Sequence, residues 1–255
     1  EQTRMALAIA GSEASGLQRN NGTMTKPFHA GMACRNGVTA GLLAKKGFTG
    51  YEDIFEAKTG FMDTFVGEGR YNFNAAVEKL GNPFTAQRQL GIKRYPCCGG
   101  NHTALDAIFA LIQENDIDYD EVVRVDADAF TYTSPVMRFP EPKRGLEGKF
   151  SVRHNLAAAL LDKKIVIETH TDEKIKDPKM REAWQKAHTH VMTKWDPRFA
   201  SGEAGGNPVT ITMKDGRVLS KTVTSHDRKG SPGNRISNEE LIAKFRQNAR
   251  LSLPE

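Results

Sequence analysis

Apolar positions change their period twice along the chain. From Thr3 to Leu17, Ala6, Leu7, Ala10 and Ala14 recur at helical spacing, and Gly11, Ser12, Ser15 and Gly16 make part of that helix narrow. After the polar turn Asn20-Asn21-Gly22-Thr23, the spacing predicts a second helix from Phe28 to Lys46, with Cys34, Val38 and Leu42 at i, i+4, i+8. Ala33, Gly37, Ala40, Gly41 and Ala44 stand beside that stripe and let helices approach closely, so the helix is expected inside a helical domain rather than on its surface. A short helix over Asn72–Leu80 ends at Gly81-Asn82-Pro83.

Beyond this point the pattern becomes mixed. Gly91 to Tyr95 reads as a short strand or an extended crossing segment, and Pro96 to Gly100 cannot continue a helix. From Asn101 a helix follows with Leu105, Ile108, Phe109 and Ile112 on one stripe, then Val123, Val125, Ala127 and Ala129 alternate with polar residues as in a half-buried strand. Helices are expected over Phe150–Lys163 and Asp177–Ala187. Val209, Ile211 and Met213 form an alternating strand, and Asp215-Gly216 before Val218-Leu219 signals a type I′ hairpin. Ser231-Pro232-Gly233-Asn234 breaks the pattern, and Ser237-Asn238-Glu239-Glu240 opens a last helix with a capping box. The expected architecture is α plus α/β: an all-helical domain over 1–90, an α/β insertion over 91–230, and a return to the helical domain over 231–255.

Composition narrows the class. The 255 residues are 38% hydrophobic and 26% charged, as in a soluble globular protein. No apolar run approaches the roughly 20 residues of a membrane span. The net charge of +5, from 36 Lys+Arg against 31 Asp+Glu, is spread without a basic block, so neither a nucleic-acid nor a membrane partner is expected. Three cysteines, Cys34 and the adjacent Cys97 and Cys98, argue against a disulfide framework and favour a reducing, cytoplasmic compartment. The chain starts at Glu1, inside a helical pattern and without a signal peptide, which is expected of a piece of a longer protein.

Two segments carry candidate chemistry. Lys26-Pro27-Phe28-His29-Ala30-Gly31 enters a helix, where free N–H groups and Lys26 favour an anion, although an exposed loop lysine is the plainer alternative. Lys93-Arg94-Tyr95-Pro96-Cys97-Cys98-Gly99-Gly100-Asn101-His102 is denser. Adjacent thiols without a CxxC make a poor metal site, so no metal is expected. A thiol nucleophile activated by His102 competes with inert, buried cysteines, and the latter is favoured. A third reading is an anion and proton-transfer site, with Lys93 holding a carboxylate and His102 as acid, base or donor. Tyr132 and Arg153-His154 are weaker candidates, and His170, His188, His190 and His226 read as surface histidines. Gly205-Gly206 and Gly230-Ser231-Pro232-Gly233 lack the strand–loop–helix context of a phosphate loop, so no nucleotide cofactor is implied.

Taken together, these segments resemble the MmgE/PrpD superfamily. The resemblance rests on Ala8-Ile9-Ala10-Gly11-Ser12-Glu13-Ala14-Ser15-Gly16-Leu17, on Thr25 to Gly31 running into Gly47-Phe48-Thr49-Gly50, and on Lys93 to Cys98 with His102. Lys149-Phe150-Ser151, Lys214-Asp215-Gly216-Arg217 and Lys229 to Asn234 extend it over nearly the whole chain. It implies a helical domain with an inserted α/β lid, and a cofactor-independent lyase or isomerase of small di- or tricarboxylates, foremost a 2-methylcitrate dehydratase-like hydro-lyase. It further implies that Lys26 and Lys93 are active-site lysines and that His102 acts in the same segment, with Ser12, His29, Cys98 and Tyr132 binding substrate. In the decarboxylase-like branch a His stands where this chain has Cys98, which points away from decarboxylation, and Cys98 is expected to line the cleft without acting as nucleophile. The family's earlier helical region, with its acidic residue, Thr and further histidines, has no counterpart here. A noncatalytic carboxylate-binding or assembly module is therefore the second reading. The wide small-residue stripes of the first two helices, like the family resemblance, lead us to expect a homodimer.

Overall fold

The structure, a computed structural model, describes residues 1–84, 86, 90–129, 137–191 and 207–253. The chain divides into two compact units, one of residues 1–20 and 24–87, the other of 21–23 and 88–255.

In the first unit, α1 (Gln2–Ser12) packs on α2 (Thr25–Lys45), and two short helices follow, α3 (Phe61–Phe65) and α4 (Phe73–Val77). Asn72 caps α4 by accepting from the Ala75 N–H at 3.1 Å. Buried apolar residues are few: Ala8 of α1 and Ala40 and Ala44 of α2. The expected interior stripe of α2 is a correction. Cys34 is exposed, as are Val38 and Leu42, at 66% and 58%, while the small Ala40/Ala44 face makes the contact. Small side chains carry the close packing, and the larger ones one step round the helix are left uncovered.

The second unit holds a mixed four-stranded sheet of order β2-β1-β3-β4, from β1 (Val122–Ala129), β2 (Ala187–Val191), β3 (Asn207–Met213) and β4 (Val218–Val223). β1 runs parallel to β2 and antiparallel to β3, and β3–β4 is the expected hairpin. Its turn is not type I′, which would need positive φ at both central residues. Only Gly216 is left-handed, at φ +89°, and the Met213 carbonyl accepts the Gly216 N–H at 3.1 Å, so the loop Lys214-Asp215-Gly216 closes as a type I turn with a glycine bulge. β1 also departs from simple alternation. Val122, Val125 and Ala127 are buried and Val123 is exposed, because the register against β3 shifts between Val122 and Arg124.

Helices α5 (His102–Asn115), α6 (Gly145–Gly148), α7 (Val152–Asp162), α8 (Asp172–Lys176) and α9 (Pro178–Lys186) complete the core, and α10 (Asn238–Ala249) closes the chain. Leu105 and Ile108 of α5, Leu156 and Leu160 of α7 and Met180 of α9 pack with Val125 of β1 and Ile211 of β3, all with no more than trace exposure. Caps account for where these helices begin. The Ser151 hydroxyl accepts the His154 N–H at 3.1 Å, Asp177 accepts the Lys179 N–H at 2.9 Å with Pro178 in the first turn, and Ser237 and Glu240 form the reciprocal box predicted from sequence. No helix among the described residues is long and apolar enough to cross a membrane.

Candidate active site

The densest functional segment lies in the second unit, where Pro96 and two glycines force a turn before α5. The Lys149 carbonyl anchors this turn by accepting the Cys98 N–H at 2.9 Å and the Asn101 side-chain amide at 3.0 Å. Lys93 folds over it and donates to the Cys97 carbonyl at 3.1 Å. Lys93 is exposed, Cys98 half-buried and Cys97 buried. All three cysteines are free thiols. Burial pushes the Cys97 thiol up to about 12, so it stays protonated and is no nucleophile at neutral pH.

His102 opens α5 and is fully buried, and among the described residues neither ring nitrogen closes a well-formed hydrogen bond, although the Cys97 and Tyr95 carbonyls lie near it. Its ring meets Tyr95 edge-on at 5.3 Å. Burial first, then the positive charges of Arg228 and Lys93, lower it to about 4, against which the nearby carbonyls of Cys97 and Tyr95 pull only weakly. At neutral pH His102 is therefore an uncharged imidazole, able to take or give one proton. The Asn101 side-chain oxygen beside it is also buried, with no partner among the described residues. Unpaired buried polar atoms cost stability, and their clustering at one turn marks a place held ready for another polar group.

Two residues with no motif of their own in the sequence, Asp106 and Arg228, bear on this turn. Asp106, one helical turn after His102, accepts the Tyr95 hydroxyl at 2.7 Å and the Lys229 N–H at 2.6 Å, with Arg94 at 3.6 Å. Burial, then the Asp106 charge, holds the Tyr95 phenol well above its ordinary value, so Tyr95 is a neutral donor fixed against His102. Arg228 is delivered by the same loop. The signal available in the sequence was Asp106 itself, a carboxylate at i+4 from His102 beside an apolar stripe.

Three of the other expected site residues belong to the first unit. In the first unit, Lys26 is exposed in the first turn of α2, His29 is half-buried against Gly16, and Ser12 lines a 300 Å³ cavity with Thr59, Thr64, Phe61 and Phe65. Neither Lys26 nor His29 lines that cavity. Tyr132 falls outside the described residues. His154 is a correction: it faces no cleft, because the ring is buried with Nε2 on the Thr169 carbonyl at 2.8 Å and Nδ1 accepting from Trp184 at 3.2 Å. His170, expected at the surface, is buried against the Asn155 amide oxygen at 3.1 Å. No cluster of metal-ligating side chains occurs among the described residues.

Residues 95–255 match the MmgE/PrpD C-terminal domain, and residues 1–74 match the MmgE/PrpD N-terminal domain. The chain belongs to the MmgE/PrpD family. It is 28% identical to cis-aconitate decarboxylase of Mus musculus over 96% of this chain and 50% of that protein. The decarboxylase of Aspergillus terreus is likewise 28% identical, over 94% of this chain and 51% of that protein. Mitochondrial 2-methylcitrate dehydratase of Yarrowia lipolytica is 24% identical over the whole chain and 50% of its own length. The chain thus spans about half the length of the curated relatives it matches, and these MmgE/PrpD relatives are lyases of two kinds.

Proposed function

We propose that this MmgE/PrpD chain forms part of a cofactor-independent lyase of small di- or tricarboxylates, acting by removal of a proton next to a carboxylate. The observation that carries the reading is a buried, neutral His102 without a well-formed hydrogen bond among the described residues, in the same turn as an exposed lysine whose charge bears on it. Lys93 binds a substrate carboxylate and stabilises the negative charge that grows on it as the neighbouring C–H bond breaks. His102 takes that proton. The C–H electron pair becomes the new double bond, and the hydroxyl on the adjacent carbon leaves as water with the proton that His102 has taken, which returns the imidazole to its neutral form. Cys98 of the same turn lines the substrate, and the family resemblance alone makes Lys26, Ser12, His29 and Tyr132 further candidates for substrate contact.

Dehydration, as in the 2-methylcitrate dehydratase relative, is the reaction we favour. The S–H of Cys98 is a weaker hydrogen-bond donor than the imidazole a His would place at a carbanion left by CO2 loss. The test uses the complete protein with 2-methylcitrate and with cis-aconitate, following the ultraviolet absorbance of the new double bond and the release of CO2. Lys93→Ala should lose about 3 kcal/mol of transition-state stabilisation, or roughly a hundredfold in turnover. Unchanged turnover overturns the assignment. CO2 release without dehydration overturns the choice of reaction, and tight binding without any turnover identifies a noncatalytic module.

A further inference from the structure

We propose that Arg228 is a further carboxylate-binding residue of the Lys93–His102 site, the one that selects tricarboxylates over dicarboxylates; this rests on the polycarboxylate reading above. A backbone clamp brings it there. The Ile92 N–H donates to the Gly230 carbonyl at 2.8 Å, and the Lys229 N–H donates to Asp106 at 2.6 Å, so the 228–230 loop is bound both to the strand-like entry of the turn and to α5. The clamp requires glycine: Gly230 has φ +86°, and a Cβ there would stand 1.9 Å from the Ile92 carbonyl oxygen. The Arg228 guanidinium then lies against Gly91, with Nη2 3.6 Å from where a Cβ would sit.

The charges around the turn divide into two groups. Arg94 is paired with Asp106 at 3.6 Å and Lys229 with Glu240 at 3.0 Å. Arg228, half-buried, has no carboxylate partner among the described residues, and Lys93 meets only a backbone carbonyl. Leaving a half-buried guanidinium unpaired is unfavourable unless an anion arrives to meet it. Its planar fork suits a carboxylate held by two parallel hydrogen bonds, whereas the single ammonium of Lys93 holds one as a point charge. Arg228 and Lys93, neither with a carboxylate partner among the described residues and both bearing on the buried His102 imidazole, fit a substrate with one carboxylate beside the reacting carbon and a further one along its length.

The experiment is calorimetric binding to the complete protein of cis-aconitate and of maleate, which keeps the cis-dicarboxylate and lacks the third arm. Arg228→Gln should weaken cis-aconitate by about tenfold or more and leave maleate unchanged, and Arg228→Lys should recover part of the loss. Retained maleate binding also reports an intact fold. Unaltered cis-aconitate binding in Arg228→Gln, an equal loss for both ligands, or Arg228→Lys no better than Arg228→Gln would overturn the proposal. If Lys93→Ala weakens cis-aconitate and maleate alike, the polycarboxylate reading stands whatever Arg228 does. If the wild type binds neither, that reading fails and takes Arg228 with it.

Discussion

Lowering the pH from about 7 to about 5 should strip the second unit of much of its stability through three buried rings. His102 and His154 are lowered to about 4 and His170 to about 3, in each case first by burial. The folded unit therefore keeps all three neutral, while in the unfolded chain they titrate near 6.5. A depressed histidine contributes its full stability only above the unfolded value, and loses it as pH falls through 6.5 toward the folded one. At about pH 5 the chain has moved roughly 1.5 pH units below that point, which at about 1.4 kcal/mol per unit is about 2 kcal/mol per ring. Summed over the three rings this is about 6 kcal/mol, comparable with the whole stability of many domains. His154 and His170 are coupled, since their rings lie 5.8 Å apart and a charge on one resists a charge on the other.

Carboxylates do not obscure this window. Asp215, Asp227, Glu239 and Glu240 have lowered values, so their contribution persists until the pH falls below the ordinary carboxylate range near 4. The assay is urea unfolding followed by Trp184 fluorescence in a Trp195→Phe background. The Trp184 indole donates to His154 Nδ1 at 3.2 Å, so it reports directly on a ring that must protonate. With a urea slope of about 2–3 kcal/mol per molar, the midpoint should fall by about 2–3 M between the two pH values. A midpoint that moves by less than about 0.5 M would show that these rings are not held neutral by burial, and would remove the same support from the neutral His102 of the proposed site.

Two further outcomes are expected. Gly230→Ala should destabilise the second unit by about 3 kcal/mol or more, since a methyl 1.9 Å from the Ile92 oxygen cannot be accommodated without breaking the clamp, and an unchanged thermal midpoint would refute the close approach. We also propose a homodimer through the helical part, motivated by the exposed Leu7, Phe28, Val38 and Leu42; a monomeric mass by light scattering of the complete protein at micromolar concentration would rule it out.

What could be read from the sequence follows from how local each signal is. The α5 stripe, the Ser237–Glu240 box and the β3–β4 hairpin are set by residues a few positions apart, and each forms where the pattern puts it. Strand β2 escaped notice because Ala187-His188-Thr189-His190-Val191 looks like a helix tail; it is a strand because β1, some sixty residues earlier, pairs with it in parallel. Periodicity also cannot foresee a register shift: the alternation predicts Val123 in the buried place that Val122 takes. The histidines teach the same lesson about chemistry. Burial keeps all three rings neutral, but His154 is bonded at both nitrogens and His170 at one, by the Thr169 carbonyl, the Trp184 indole and the Asn155 amide, partners 15 to 30 residues away, whereas among the described residues no such distant partner reaches His102. The distinction between a satisfied core histidine and a candidate proton carrier therefore lies in long-range hydrogen bonding, which spacing does not encode. Lys93 and His102 were legible because they share one turn. Arg228 was not, because only the Asp106–Lys229 and Ile92–Gly230 bonds, each spanning more than a hundred residues, bring it to them.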